Sequence, residues 1–177
     1  SGTNAQAFGR EAKAQASDAI AIGAEAKVGD NYTYGIAVGQ KSEVTGADGI
    51  AIGQNSTAGK GSLALGACSK AQSRGSIALG NQAYTAFDNT IAFGSSSSAG
   101  DRNATALGSM AKAEAANSTA VGVGANASGS GSTAIGKGAA SNGTYSIALG
   151  LGSEALEDNS IAIGYAAASN YDNTVAL

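Results

Sequence analysis

The chain repeats one four-residue phrase, in which an aliphatic residue or Thr is followed by Ala, an apolar residue and Gly. Two copies are Ile20-Ala21-Ile22-Gly23 and Thr119-Ala120-Val121-Gly122. The glycines stand at positions 9, 23, 39, 53, 66, 80, 94, 108, 122, 136, 150 and 164, so that all steps but two are 14 residues. A fixed short period of this kind predicts a solenoid.

Within one repeat, counted from its Gly as position 0, large residues occupy positions −3 and −1 and small residues occupy −4 and −2. This period of two predicts a strand. Small residues recur at +3 and +5 around a mixed position +4, which predicts a second, weaker strand. We expect the large residues to face these small ones across a thin core, with Phe8 and Phe93 at position −1 inside it.

Each coil also needs two turns. The Gly ends the first strand at a tight bend, and position −5 is often Asn or Asp, as at Asp18, Asp48 and Asn117, which tolerate left-handed backbone angles. Equivalent strands of successive coils are expected to stack in parallel, about 4.8 Å apart. The sequence therefore predicts an all-β parallel solenoid of about 12 coils of 14 residues, with residues 1–177 in a single domain.

The Ala at position −2 lies on the face of the first strand opposite to the large residues, and we expect it to point outward. An exposed strand face would normally vary and carry polar residues, so an unvarying Ala predicts close packing against an identical chain in cyclic symmetry. The predicted interface consists of Ala21, Ala37, Ala51, Ala64, Ala78, Ala92, Ala106, Ala120, Ala134, Ala148 and Ala162.

Composition argues against several kinds of chemistry. The net charge is −3, so nucleic acid is not expected as a partner. The chain has no His and one Cys, which argues against a zinc site and against left-handed β-helix acyltransferases, which use a catalytic His. The scattered acids form no calcium-ligand ladder. We predict no enzyme activity, no cofactor and no metal, and we expect Cys68 to be a partly exposed thiol without a catalytic role.

The repeated phrase resembles a known family. The segment Asn117-Ser118-Thr119-Ala120-Val121-Gly122, followed by Ala125, is similar to the head repeat of YadA-like trimeric autotransporter adhesins. The resemblance implies a left-handed parallel β-roll and a side-by-side homotrimer. It also implies a place on the bacterial cell surface, anchored in the outer membrane through neck, stalk and anchor segments that this chain does not include. Such heads bind host matrix proteins or receptors and promote bacterial self-aggregation, and collagen, fibronectin, laminin and receptors of the carcinoembryonic-antigen type are all possible ligands.

The variable turns are the expected place for ligand contacts, because a rigid scaffold presents them to solvent. Asn31, Tyr32 and Tyr34 lie on the insertion that lengthens one coil by two residues, and aromatic residues are enriched in interface hot spots. Tyr84 and Tyr165 are further aromatics outside the predicted core. These five residues are the candidate ligand-binding residues of a multivalent adhesin surface.

Two other functions stay open at this point. One is a structural spacer that holds another adhesive domain away from the cell. The other is a solenoid that binds ice or a polysaccharide through its ladders, for which long outward Thr arrays are expected. The one pure Thr run is Thr105, Thr119 and Thr133, which we expect on the inward face.

Overall fold

The structure is a computed structural model that describes residues 2–177. The described residues form short strands and turns and contain no helix. They divide into two compact units between Asn89 and Thr90. Both units are built from the same parallel coil, so the predicted all-β solenoid with its 14-residue spacing is confirmed. The single domain over 1–177 stays a prediction.

The first unit contains two parallel sheets. The strands before each glycine are β1 (Gln6–Phe8), β3 (Ile20–Ile22), β5 (Ile36–Val38), β7 (Ile50–Ile52), β9 (Leu63–Leu65) and β11 (Ile77–Leu79). The shorter strands after each glycine are β2 (Lys13–Ala14), β4 (Lys27–Val28), β6 (Glu43–Val44), β8 (Thr57–Ala58), β10 (Lys70–Ala71) and β12 (Tyr84–Thr85). Each strand pairs with its equivalent in the next coil.

The second unit repeats this arrangement. Its strands before each glycine are β13 (Ile91–Phe93), β15 (Thr105–Leu107), β17 (Thr119–Val121), β19 (Thr133–Ile135), β21 (Ile147–Leu149) and β23 (Ile161–Ile163), followed by β25 (Val175–Ala176). The shorter strands are β14 (Ser98–Ala99), β16 (Lys112–Ala113), β18 (Asn126–Ala127), β20 (Ala140–Ser141), β22 (Glu154–Ala155) and β24 (Ala168–Ser169).

Pairing stacks every repeat position on its own copy. Ala106 pairs with Ala120, and Ala120 with Ala134. The register survives the two irregular coils, because Ile20 still pairs with Ile36 and Ile50 with Leu63. Added or missing residues are therefore absorbed in the turns, and the sheets continue unchanged.

The turns have a constant backbone. The glycines at position 0 have φ between +125° and +140°, and positions +2 and −5 of the coils lie in the left-handed region with φ between +52° and +66°. Asp18 and Asn117 are examples at −5, which confirms the role predicted for Asn and Asp there. At most of these turns the fourth residue donates its backbone N–H to the carbonyl of the first, as Ala125 does to Gly122. The left-handed residue is the third residue of each turn.

The core is the reverse of the sequence prediction. From Ala21 to Ala162 the Ala side chains at −2 are fully buried inside the roll, together with most of the small residues at −4, +3 and +5, while the large residues at −3 and −1 point outward. Phe8 and Phe93, expected in the core, are 60% and 54% exposed. The two sheets of a coil face each other across side chains no larger than Val, which leaves no room for Ile or Phe between them.

Most serine hydroxyls in the core are satisfied by the turns, whereas the buried Ser132 hydroxyl has no hydrogen-bond partner within residues 2–177. Ser42 and Ser56 at position +3 donate to the carbonyls of Gly39 and Gly53, at 2.9 and 2.8 Å. Ser118 at position −4 donates to the carbonyl of Ala115 at 2.6 Å. A buried hydroxyl without such a partner would cost about 1–3 kcal/mol, so these bonds explain why Ser can replace Ala inside the roll.

Candidate binding surfaces

Each unit exposes a continuous apolar sheet face, which we call the aliphatic face. It consists of the side chains at −3 and −1, which point away from the buried Ala at −2 because neighbouring strand residues alternate between faces. In the first unit they are Gln6, Phe8, Ile20, Ile22, Ile36, Val38, Ile50, Ile52, Leu63, Leu65, Ile77 and Leu79. In the second they are Ile91, Phe93, Thr105, Leu107, Thr119, Val121, Thr133, Ile135, Ile147, Leu149, Ile161 and Ile163. All of them are exposed or half-buried.

The alanines predicted as a trimer interface cannot form one. Their side chains are 0% exposed in the isolated chain and pack inside its own two core clusters. The prediction is therefore wrong for Ala21, Ala37, Ala51, Ala64, Ala78, Ala92, Ala106, Ala120, Ala134, Ala148 and Ala162. Position −2 is always Ala because the narrow interior of the roll admits only a small side chain there. The surface that a second chain could reach is the aliphatic face.

The opposite sheet presents a polar face formed by position +4. Lys13, Lys27 and Glu43 follow one another there, and Lys27 Nζ lies 2.9 Å from Glu43 Oε1. The hydrogen bond to Glu43, together with the charge of that carboxylate, raises the pKa of the Lys27 ammonium above its ordinary value, and Tyr32 also contributes to that rise. The two sheets of each unit therefore differ in character: one outward face is mainly apolar, and the other is a mixture of charged, polar and small residues.

Three of the predicted ligand-binding residues lie together in the lengthened turn. Asn31 and Tyr34 are exposed, Tyr34 at 62%, while Tyr32 is half-buried and packs against the core cluster. The Tyr32 ring lies over Gly29, where an added Cβ would be 2.9 Å from Cε2. Tyr34 has φ +59°, a left-handed conformation that costs a bulky residue about 1–2 kcal/mol. This turn thus holds an exposed tyrosine in an unfavourable backbone state.

The other two predicted residues do not join this turn. Tyr84 is an exposed residue of β12 and points outward from the polar face of the first unit, several coils further along. Tyr165 lies in the second unit, in the turn directly after Gly164, and is 81% exposed. Within the first unit, the structure therefore places Tyr84 apart from the lengthened turn, and Tyr165 belongs to the second unit.

The sequence-based selection missed exposed apolar residues in the turns of the second unit. Tyr145 has φ +56° and occupies the same repeat position as Tyr34, and its ring lies over Gly131. Val123 and Leu151 are exposed at position +1, the position that also holds Tyr165. The signal was available in the sequence: Tyr34 and Tyr145 are each five residues before a repeat glycine, where Asn, Asp and Gly otherwise stand.

Groups able to do chemistry are sparse. Residues 2–177 hold no cluster of acidic, Cys or His residues suited to a metal ion. Cys68 is an exposed free thiol at position +2 of its turn, with φ +58°. A cavity of about 320 Å³ at the first coils is lined by Ala7, Ala12, Lys13, Ala14 and Gln15. Among the residues described, no helix is long and apolar enough to cross a membrane.

Comparison with known proteins agrees with the repeat. A family model described as the YadA head domain repeat (2 copies) matches residues 1–26, 33–56, 58–83, 71–97, 88–111, 102–125, 113–139, 127–153, 141–167 and 155–177. Among solved structures, the collagen-binding domain of the Yersinia adhesin YadA is 26% identical, with 97% of this chain and 68% of that chain covered and a TM-score of 0.47. No curated protein matches the chain. The repeat model confirms the resemblance seen in the sequence: the chain belongs to the YadA head domain family and has an adhesin-type role.

Proposed function

We propose that this chain is the head of a bacterial surface adhesin that attaches the cell to host extracellular matrix or cell-surface receptors and promotes autoaggregation. The mode of action is multivalent binding without catalysis or cofactor. The observation that carries the proposal is the combination of a continuous outward aliphatic face with exposed tyrosines in the turns. The proposed location is the bacterial cell surface, with attachment to the outer membrane.

The aliphatic face is proposed as the contact between three identical chains. A soluble monomer rarely leaves so long a row of Ile, Leu and Val side chains in water. A second copy fits this face, because it carries the same ladder with the same rise from coil to coil. Closure of three chains in a ring would cover the face in each protomer and leave the opposite sheet outside.

Ligand contacts are proposed for Asn31, Tyr32 and Tyr34, with Tyr84 and Tyr165 as further contacts. Tyr34 supports this assignment, since its side chain is 62% exposed and aromatic residues are enriched in interface hot spots. Three chains would repeat each weak contact and convert it into avidity. Collagen, fibronectin, laminin and receptors of the carcinoembryonic-antigen type are the ligands to examine.

The substitution Tyr34→Asn tests the binding turn, because Asn occupies this repeat position elsewhere with similar φ, as at Asn117. The variant should be as stable as the parent protein or more so, and its binding to immobilised matrix proteins should fall about tenfold. Tyr171→Ala, an exposed tyrosine outside the proposed set, is the matched control and should bind normally. Unchanged binding by Tyr34→Asn would contradict the assignment, and complete loss from this single change would contradict multivalency.

Binding of ice or a polysaccharide is the second candidate, because one observation favours it. Thr105, Thr119 and Thr133 point outward on a parallel sheet, and not inward as predicted. Thermal hysteresis in ice and retention on polysaccharide columns test this candidate directly. If the protein binds neither these nor any matrix protein, the spacer function remains.

A further inference from the structure

The aliphatic face alone does not determine how two chains align along the direction in which the coils stack. Successive coils are nearly identical and rise by about 4.8 Å, so a chain that slips by one coil meets almost the same surface on its partner. Most positions of the face cannot tell these alignments apart, because Ile, Leu and Val pack interchangeably at small cost. A feature that marks one level of the face is therefore needed to fix the axial register.

The column at position −3 of the second unit contains such a feature. Thr105, Thr119 and Thr133 pair consecutively, and isoleucines border them on both sides, Ile91 before and Ile147 after. The three side chains are half-buried and point outward, and their hydroxyls have no hydrogen-bond partner within residues 2–177. They form a polar block inside an apolar ladder, which we call the threonine block.

We propose that the threonine block fixes the axial register in which identical chains associate. This inference rests on the association proposed above. In register, hydroxyls of different chains meet at the same levels and can bond to one another or to shared water. After a slip of one coil, a threonine at each end of the block would face an isoleucine, and its hydroxyl would be desolvated without a partner. A single polar position in an apolar seam specifies alignment in coiled coils by the same principle.

The test is a variant that moves the block by one coil without changing composition. Thr105→Ile combined with Ile147→Thr places the block at 119, 133 and 147, and both side chains point outward, so folding should be unaffected. Parent and variant chains, one of them isotope-labelled, are mixed unfolded and refolded together. Native mass spectrometry then counts pure and mixed trimers.

The matched control is Leu149→Ile combined with Ile163→Leu. It exchanges two outward apolar side chains of paired strands and leaves the threonine block in place. This control should form mixed trimers with the parent chain in binomial proportions.

We expect mixed trimers of the block-shifted variant to fall about tenfold below the binomial proportion. A mixed trimer could realign its threonines only by slipping, which would uncover a terminal coil and set Phe93 against Leu107. Binomial mixing would overturn the proposal and would show that Phe93 or the turns fix the axial register without the threonine block. If each chain alone fails to form trimers, the proposed association is wrong, and this outcome is distinct from free mixing.

Discussion

At the scale of single residues, the core depends on matched volumes at positions +5 and −4. The two coils with Val at +5, Val28 and Val44, have Gly at −4, Gly35 and Gly49. An added Cβ at Gly35 would lie 2.8 Å from Val28 Cγ1 and 3.0 Å from Val44 Cγ1. In coils with Ala at +5, position −4 is Ala or Ser, so the pair fills the interior from either side.

This match of volumes predicts that mutations at the two positions have non-additive effects on the free energy of unfolding. Gly35→Ala should destabilise the protein by about 1–3 kcal/mol through overpacking, and Val28→Ala by about 2 kcal/mol through a cavity. The double variant should recover at least about 1 kcal/mol of the summed loss, because the methyl group added at position 35 enters the space that the Val28 side chain vacates. Urea denaturation of the four proteins measures the coupling, and strict additivity would show that the two sites are independent.

A period of two in the sequence shows which residues share a face of the strand, but not which face is buried. Alternation placed −3 and −1 on one side and −4 and −2 on the other, which the structure confirms, but it does not say which side is inside. The rule that large residues are buried failed at Phe8 and Ile22, because the interior admits only small side chains. The deciding signal was that +3 and +5 are small as well, so that four small positions per coil fill one narrow core.

At the scale of the coil, two kinds of turn glycine should differ sharply. A Cβ at Gly122, with φ +130°, would lie 2.5 Å from the carbonyl oxygen of Gly136 in the next coil. At Gly124, with φ +64°, it would meet nothing within 4 Å, and Ala166 occupies the same repeat position with φ +52°. Position 0 therefore requires Gly for close stacking of backbones, whereas +2 only favours it.

We accordingly expect Gly122→Ala to cost at least about 3 kcal/mol, since backbone in two coils must move. Gly124→Ala should cost only about 1 kcal/mol, the penalty of a left-handed alanine. Thermal unfolding of both variants measures the difference. Similar losses at the two sites would mean that stacking distance does not explain the glycine at position 0.

The ion pair between β4 and β6 gives a pH dependence with a definite sign. The pKa of Lys27 is raised above its ordinary value of 10.5 by Glu43, so the pair stabilises the fold below that pH and loses its effect as the pH rises through the raised pKa. Because both side chains are largely solvated, its contribution should stay below about 1 kcal/mol. NMR titration should show the pKa of Lys27 falling in Glu43→Gln, and an unchanged value would exclude Glu43 as the cause.

At the scale of the whole molecule, the sequence predicted the repeat, the strands and the turns, since these three follow from local spacing, and the resemblance of the repeated phrase gave the family. The sequence did not predict which surface is available for association, because that depends on how closely two sheets approach each other. The candidate ligand residues were chosen as aromatics outside the expected core. Tyr34 and Tyr165 are indeed on the surface, whereas Tyr145 was left out although it stands five residues before a repeat glycine, as Tyr34 does.

Substitutions at two neighbouring residues of β21 are expected to affect folding and association separately. Ala148 is fully buried in the roll, and Ile147 points outward on the aliphatic face. Ala148→Glu should prevent folding, since a carboxylate would enter a core with no room and no partner for it. Ile147→Glu should fold with a normal circular dichroism spectrum but weaken the trimer by about 3–5 kcal/mol, because each chain would bring an unpaired charge into the contact.

Light scattering over a range of protein concentrations measures this difference, with Lys112→Glu on the opposite sheet as the matched control. The parent protein and Lys112→Glu should both have the mass of a trimer, and Ile147→Glu should have the mass of a monomer. A folded Ala148→Glu would contradict the position assigned to the alanines. A trimer of Ile147→Glu as strong as that of the parent would show that the chains meet through another surface, since a glutamate from each chain cannot be buried in an aliphatic contact without loss of affinity.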